Sequence, residues 1–188
     1  MLWEEDVQDI ASGDLVADFK LAMRRLTSTI SLITTAHAGR RIGMAATAVQ
    51  SVTADPATLL VCINRNASIS VPLQESRRFA VNLLHLSHAD LVPIFSGKLK
   101  DEARFDHGTW EDDEGIPVLA DAQAALVCDV SGMAAIGSHD VFFGRVTSIE
   151  VRREVSPLLY EDGRFVRSTN LPNKIKSVPY DDWQSIFF

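Results

Sequence analysis

From Asp14 onward the apolar residues Leu15, Phe19, Met23 and Leu26 recur at nearly helical spacing, so a helix is predicted over 14–26, with Asp14 capping its first N–H groups. Arg24 and Arg25 fall at the negative end of its dipole. The stripe of such a helix is expected to cover one end or side of a sheet. The period then changes. Thr27 to Thr35 alternates, placing Ile30 and Leu32 on one face and Ser31, Ile33 and Thr35 on the other, and its β-branched content suits a strand. Ala36 to Arg40, containing Gly39, reads as a hairpin turn into a second strand ending near Val49. Thr58 to Arg65 predicts a third strand and Arg78 to Leu84 a fourth. Between them Ser68 to Ser76 reads as a short helix that tolerates Pro72 in its first turn. His88 to Lys98 gives a short helix or two turns ending at Gly97, and Lys98 to Phe105 a charged, partly helical segment, together a lid-like insertion. Ala122 to Glu154 predicts two long strands joined around Ile136-Gly137-Ser138, and Pro157 to Val166 a hairpin turning at Asp162-Gly163. Seven or so strands with few helices point to a closed or nearly closed antiparallel barrel capped by helices.

Three regions follow from this pattern: a polar, acidic arm over 1–13, a domain over 14–168 and a tail over 169–188 whose Trp183, Ile186, Phe187 and Phe188 need cover from this subunit or a partner. With 188 residues and 46% hydrophobic content the chain can build one substantial core. A formal charge of −7 argues against nucleic acid and anionic membranes as partners, because both require a basic patch. Arg24-Arg25, Arg40-Arg41 and Arg152-Arg153 are dispersed. No apolar run reaches the length of about 20 residues needed to span a bilayer. The acidic N-terminus differs from a signal peptide, and a cytoplasmic location is expected. Cys62 and Cys128 sit inside apolar runs and read as buried free thiols. The chain has no CxxC, HExxH, Walker or dinucleotide-binding glycine motif. Glu111 to Glu114, closed by Gly115, reads as a solvated turn rather than a metal site, and no metal is expected.

The stretch that invites chemistry runs from Gly43 to Ser68. Ala45, Ala46, Thr47 and Ala48 offer so little bulk that a flat aromatic ligand could lie against the backbone, and Ser51 and Thr53 add hydroxyls. After Asp55-Pro56, a buried strand delivers Asn64, Arg65, Asn66 and Ser68 together, a cluster suited to an anion. A hairpin with a Ser/Thr-rich surface face fits the same residues.

Several segments in order resemble the flavin reductase-like family of FMN-binding split-barrel proteins. FKLAMRRLTSTISLITT looks like its entry helix and first strand, and GMAATAVQSVTADPATLLVCINRNAS like its flavin-binding signature. FAVNLL is similar to the next core strand, IFSGK with Arg104-Phe105 to the loop closing on the flavin, GSHDVFFGRV to the glycine–x–histidine strand and PLLYEDGRF to the terminal hairpin. The resemblance implies a mainly β fold, an antiparallel split β-barrel of Greek-key type with a few capping helices, and a homodimer with flavin near the subunit junction. It implies that Ala46, Thr47 and Ala48 line the isoalloxazine edge, and that Ser51, Asn64, Arg65 and Ser68 hold the ribityl phosphate or its approach. Ser96, Gly97 and Lys98 would lie at the cofactor's phosphate or dimer side, Tyr160 at the site rim, and His139 where the nicotinamide stacks. Ala45 stands where family members commonly carry a hydroxyl, and Pro56-Ala57 replaces their paired prolines.

The implied activity is hydride transfer from NADH or NADPH to FMN or FAD, with reduced flavin passed to a separate flavin-dependent monooxygenase. Such transfer requires the nicotinamide C4 to approach the flavin N5 to about 3–3.5 Å, and no general base is needed. Two rivals remain at this point: a reductase that retains FMN and reduces another acceptor such as corrin-bound cobalt, and a non-catalytic flavin- or haem-binding module. His85, His88 and His107 read as structural or exposed.

Overall fold

The computed structural model describes residues 12–170, so the arm expected over 1–13 and the tail over 169–188 lie almost wholly outside it. Helix α1 (Leu15–Met23) starts where the sequence places it: the Asp14 carboxylate accepts from the Val16 and Ala17 N–H groups at 2.9 and 3.4 Å. The Asp18 carboxylate reaches back to the Ser12 N–H and hydroxyl and to the Gly13 N–H, which holds its carboxyl below the usual carboxylate range. The expectation that α1 covers the sheet is corrected, because none of its residues is buried and Leu15 and Phe19 are 83% and 60% exposed. Its described attachments cluster at the C-terminal end, where the Asp162 N–H donates to Arg24 O at 3.1 Å and Arg24 Nε to the Asp162 carboxylate at 3.0 Å.

Among the described residues twelve strands follow, all in antiparallel pairs. Strand β1 (Ser28–Thr29) joins β11 (Leu158–Glu161) and β12 (Arg164–Arg167) in a small sheet, and β7 (Trp110–Asp113) pairs with β8 (Ile116–Leu119). The acids Glu111–Asp113 therefore belong to a strand, with the turn confined to Glu114-Gly115, rather than forming one solvated turn. The main sheet has seven strands: β2 (Ser31–His37), β3 (Arg40–Ala46), β4 (Val49–Ala54), β5 (Ala57–Asn64), β6 (Arg78–Leu83), β9 (Ala124–Ile136) and β10 (His139–Val151). Their order is β3-β2-β6-β9-β10-β5-β4, so β3 and β4 are opposite edges, although two residues join them in sequence. Such a link spans at most roughly 11 Å. The sheet must therefore roll until its edges adjoin, giving an antiparallel barrel split between β3 and β4.

Both faces of this sheet are buried along much of its length, as the alternation in β2 requires. One face encloses Ile33, Val61, Ile63, Phe79, Cys128 and Phe142, and helix α2 (Ser70–Ser76) adds Leu73 to that cluster. The other face carries Leu32, Ala80 and Val127 against Phe95, Phe105, Val118 and Leu119 from the turns over 86–106 and the β7-β8 hairpin. Asn82 fastens this second layer: Nδ2 donates to Leu32 O and Thr34 Oγ1 at 3.0 and 3.1 Å, and Oδ1 accepts from the Leu119 N–H at 2.8 Å. Among the described residues no helix is long and apolar enough to cross a membrane.

Candidate functional site

The opening between the barrel's edges is the crossing Thr47-Ala48. The Val49 N–H donates to Thr47 O and the Cys62 N–H to Ala48 O, each at 3.0 Å, which pins the crossing to β5 while both residues stay exposed. The single strand expected through Ala45–Ala48 is corrected accordingly: β3 stops at Ala46 because the chain changes edges there.

Two concavities meet at Thr47. The smaller, about 270 Å³, brings together Ala46, Thr47, Ser96 and Tyr160, with Ala45 and Phe165 completing its wall. The larger, about 620 Å³, holds Thr47 and Ser51 among the hydroxyls of Ser28, Thr29, Ser31, Thr53 and Thr58, over a floor that includes Val81, Leu83, Leu126 and Val146. Its volume is that of a small-molecule site, about 300–1,000 Å³. Among the described residues no charged side chain lines it, so it suits an uncharged ring system or polyol rather than a phosphate. Ser31 Oγ is fully buried and has no hydrogen-bond partner among the described residues, a group that a ligand in this groove could satisfy. These features fit a flavin: exposed backbone and small side chains for a flat ring, neutral hydroxyls for its polar edge and chain.

A separate segment builds the wall opposite Ala46. After an α-turn (Leu91–Pro93), residues Ile94–Lys98 form a π-turn that ends where Gly97 adopts φ +119°, a backbone conformation open to glycine. Ser96 lines the smaller concavity; Gly97 and Lys98 follow it on the exposed loop and do not. Arg104, buried in a 3₁₀ segment (Asp101–Asp106), donates from Nε to Leu99 O at 2.9 Å and from Nη1 to Gly43 O, tying the loop to β3. The resemblance places Arg104 with this loop, and the hydrogen bonds by which it anchors the loop to β3 are visible only in the fold.

The remaining candidates lie elsewhere. Ser51 is opposite Leu59 on β5 and faces the enclosed side, whereas Asn64 lies five residues further along and faces outward, about 17 Å away along the strand. Ser51 and Asn64 therefore do not meet in one phosphate hold: they stand apart along the strand and on opposite faces of it. Arg65 Nε pairs with the Asp140 carboxylate at 3.1 Å, and its Nη2 donates to Gly137 O at 2.7 Å. Asn64 Oδ1 accepts from the Asn66 N–H at 2.9 Å, and Ser68 sits exposed in the following turn.

His139 is exposed, directly opposite Asn64 in register, with Nδ1 2.9 Å from Ser138 Oγ. Cys62 and, across from it, Ala48 lie on the same outward side, so His139 stands two strands across and two residues along from the crossing, roughly 12 Å. Cys62 and Cys128 are both free thiols. Among the described residues no group of three or more His, Cys, Asp or Glu side chains could hold a metal ion.

Fold and concavities together define a split-barrel protein with a ligand cleft at its open edges. Residues 23–169 match the family model described as "Flavin reductase like domain", and the chain belongs to that family. It is 40% identical over 150 residues to an FMN reductase (NADH), RutF 1, of Methylorubrum extorquens, covering 79% of this chain and 75% of that protein. It is 36% identical over 162 residues to the reductase component of an FADH2-dependent resorcinol hydroxylase from a Rhizobium species, covering 85% and 90% of the two chains. The solved structure of flavin reductase PheA2 superposes with a TM-score of 0.75 at 31% identity, over 82% of this chain and 98% of that one.

Proposed function

We propose that the chain is an NADH-dependent flavin reductase that passes hydride to FMN or FAD and supplies reduced flavin to a separate monooxygenase component. The observation that carries this reading is the pair of concavities meeting at the Thr47-Ala48 crossing, where exposed backbone, small side chains and neutral hydroxyls converge. A bound flavin supplies the two-electron acceptor for the nicotinamide. Ala45, Ala46 and Ala48 leave clearance for its ring. The Thr47 backbone and hydroxyl lie where preorganised donors stabilise negative charge on the ring's pyrimidine side. Ser51 and the Ser31 hydroxyl hold the polyol chain in the larger groove. His139 contacts the nicotinamide. The enzyme works as a homodimer, a state supported by the uncovered apolar face of α1, and in the cytoplasm, where NADH is available.

Steady-state oxidation of NADH with and without added free FMN or FAD tests the reading. Turnover that depends on free flavin is expected. Turnover through tightly retained FMN to a corrinoid acceptor would favour the flavin-retaining alternative, and no oxidation of NADH or NADPH with either flavin would leave a non-catalytic binding module. In the same assay Ser51→Ala is expected to weaken flavin binding at little cost in stability. His139→Ala is expected to raise the NADH KM, and an unchanged value removes His139 from the site.

A further inference from the structure

Asp140 directly follows His139 on β10, and the strand's alternation turns the two side chains to opposite faces: His139 outward, Asp140 inward and only 3% exposed. Its two oxygens are both engaged. Oδ1 accepts from Arg65 Nε at 3.1 Å and Oδ2 from Gln74 Nε2 of α2 at 3.0 Å. Arg65 completes the circuit, its Nη2 donating to Gly137 O at 2.7 Å and its backbone N–H to Ser138 O at 3.0 Å. The carboxylate thus joins three elements, the end of β5, helix α2 and the β9-β10 hairpin tip on which His139 sits. A buried, doubly bonded carboxylate resists displacement, since breaking either contact leaves an unmatched polar group. The hairpin tip itself is exposed from Ala135 to His139, so this circuit is the described polar link between the tip and the buried structure beneath it.

We propose that Asp140 is the positioning residue for His139: it holds the Gly137–His139 tip at a fixed height above the outward face, so that the imidazole meets the nicotinamide without first being ordered. The inference rests on reading His139 as the nicotinamide contact. Asp140 itself touches neither substrate, and the geometry accounts for Arg65 as part of the clamp.

The test is a cycle of Asp140→Asn, His139→Ala and the double variant, with NADH KM, kcat at saturating flavin, flavin KM and thermal melting measured for each. Asp140→Asn keeps the shape and removes the charge. It is expected to raise the NADH KM roughly tenfold with flavin KM within about twofold, and to add less than about twofold when His139 is already alanine. Should Asp140→Asn fold poorly, Gln74→Ala, which removes one arm of the clamp, is expected to raise the NADH KM roughly threefold and again to lose its effect in the His139→Ala background. An unchanged NADH KM in Asp140→Asn, or an equal penalty in both backgrounds, overturns the positioning role while an impaired His139→Ala leaves the nicotinamide contact standing. Normal NADH kinetics in His139→Ala overturn the contact itself, and the positioning role with it.

Discussion

The Cys128 thiol lies on the enclosed face of β9, fully buried, and burial together with the neighbouring Asp129 charge pushes its pKa from an ordinary value near 9 up to about 12. The folded state therefore favours the neutral thiol. Its stabilising effect is complete below the unfolded pKa and is lost as pH rises from about 9 toward 12, by up to about 1.4 kcal/mol per pH unit. Urea unfolding at pH 8 and pH 10 should show that loss, and Cys128→Ala should lack it at the expense of a lower baseline stability. In a Cys62→Ala background, a disulfide reagent at pH 8 should label Cys128 only as fast as the protein unfolds; rapid labelling would mean the thiol is accessible. The placement of Cys128 in an apolar run made its burial legible, whereas Cys62, also in an apolar run, takes the outward side of β5 and is only half-buried. Other residues were not legible. Asn82 sits in FAVNLL like a misplaced polar residue, and its three buried hydrogen bonds become meaningful once β2 and β8 lie beside it. Arg65 read as a free cation because its partner, Asp140, is distant in sequence. Ser31 was one hydroxyl in an alternating strand, and its lack of a partner is a property of the assembled groove.

At the scale of the element, alternation and turn chemistry carried the long hairpin: β9 and β10 meet at Ile136–His139 with the bend at the expected Gly137-Ser138. The ladder shifts register between Phe143 and Gly144, and a Cβ on Gly144 would stand 2.6 Å from Phe79 Cζ and 2.9 Å from Cys128 Cβ. The ring has some freedom; the Cys128 Cβ is fixed to its strand. Gly144→Ala is expected to destabilise the fold by about 1–3 kcal/mol, lowering Tm by roughly 2–12 °C for a domain of this size. A melting temperature within a degree of the parent would show that the β9-β10 spacing yields without cost. Local pattern failed where strands change edges. Gly43 to Ala54 reads as continuous extended chain, and nothing in its period reveals that Thr47-Ala48 passes from one sheet edge to the other. The same blindness affected β7, whose Glu111 and Asp112 face solvent on a two-stranded hairpin and so look like a turn. The candidate site was legible in its small residues, which flank and form the crossing, while the separation of Ser51 from Asn64 depends on strand register and on which face each residue takes.

For the whole molecule the energetic imbalance lies on α1. Leu15, Phe19 and Met23 form one row at a spacing of four residues, exposed by 83%, 60% and 44%, and Leu26 continues it at 60%. A helix this short is marginal in water on propensity alone, so its stability must come from burying that row. Within one subunit nothing described covers it, since α1 is held through Arg24 and Asp162 and stands clear of the barrel. The groove beside it has the same character: Ile149 is 54% exposed on the groove wall, next to Thr27–Thr29, which lead out of α1. A second copy related by twofold symmetry would cover both features at once, because a self-complementary patch presents the same helix and groove to each partner. If the proposed homodimer forms through α1, Leu15→Lys with Phe19→Lys shifts it to monomer in sedimentation analysis at micromolar concentration, since a specific interface buries about 800 Å² per partner. Flavin KM should rise in the same variant, since the 620 Å³ groove would lose its covering wall. A parent protein that sediments as a monomer, or a double variant that remains dimeric, would remove α1 from the interface and leave its exposed row without a stabilising role.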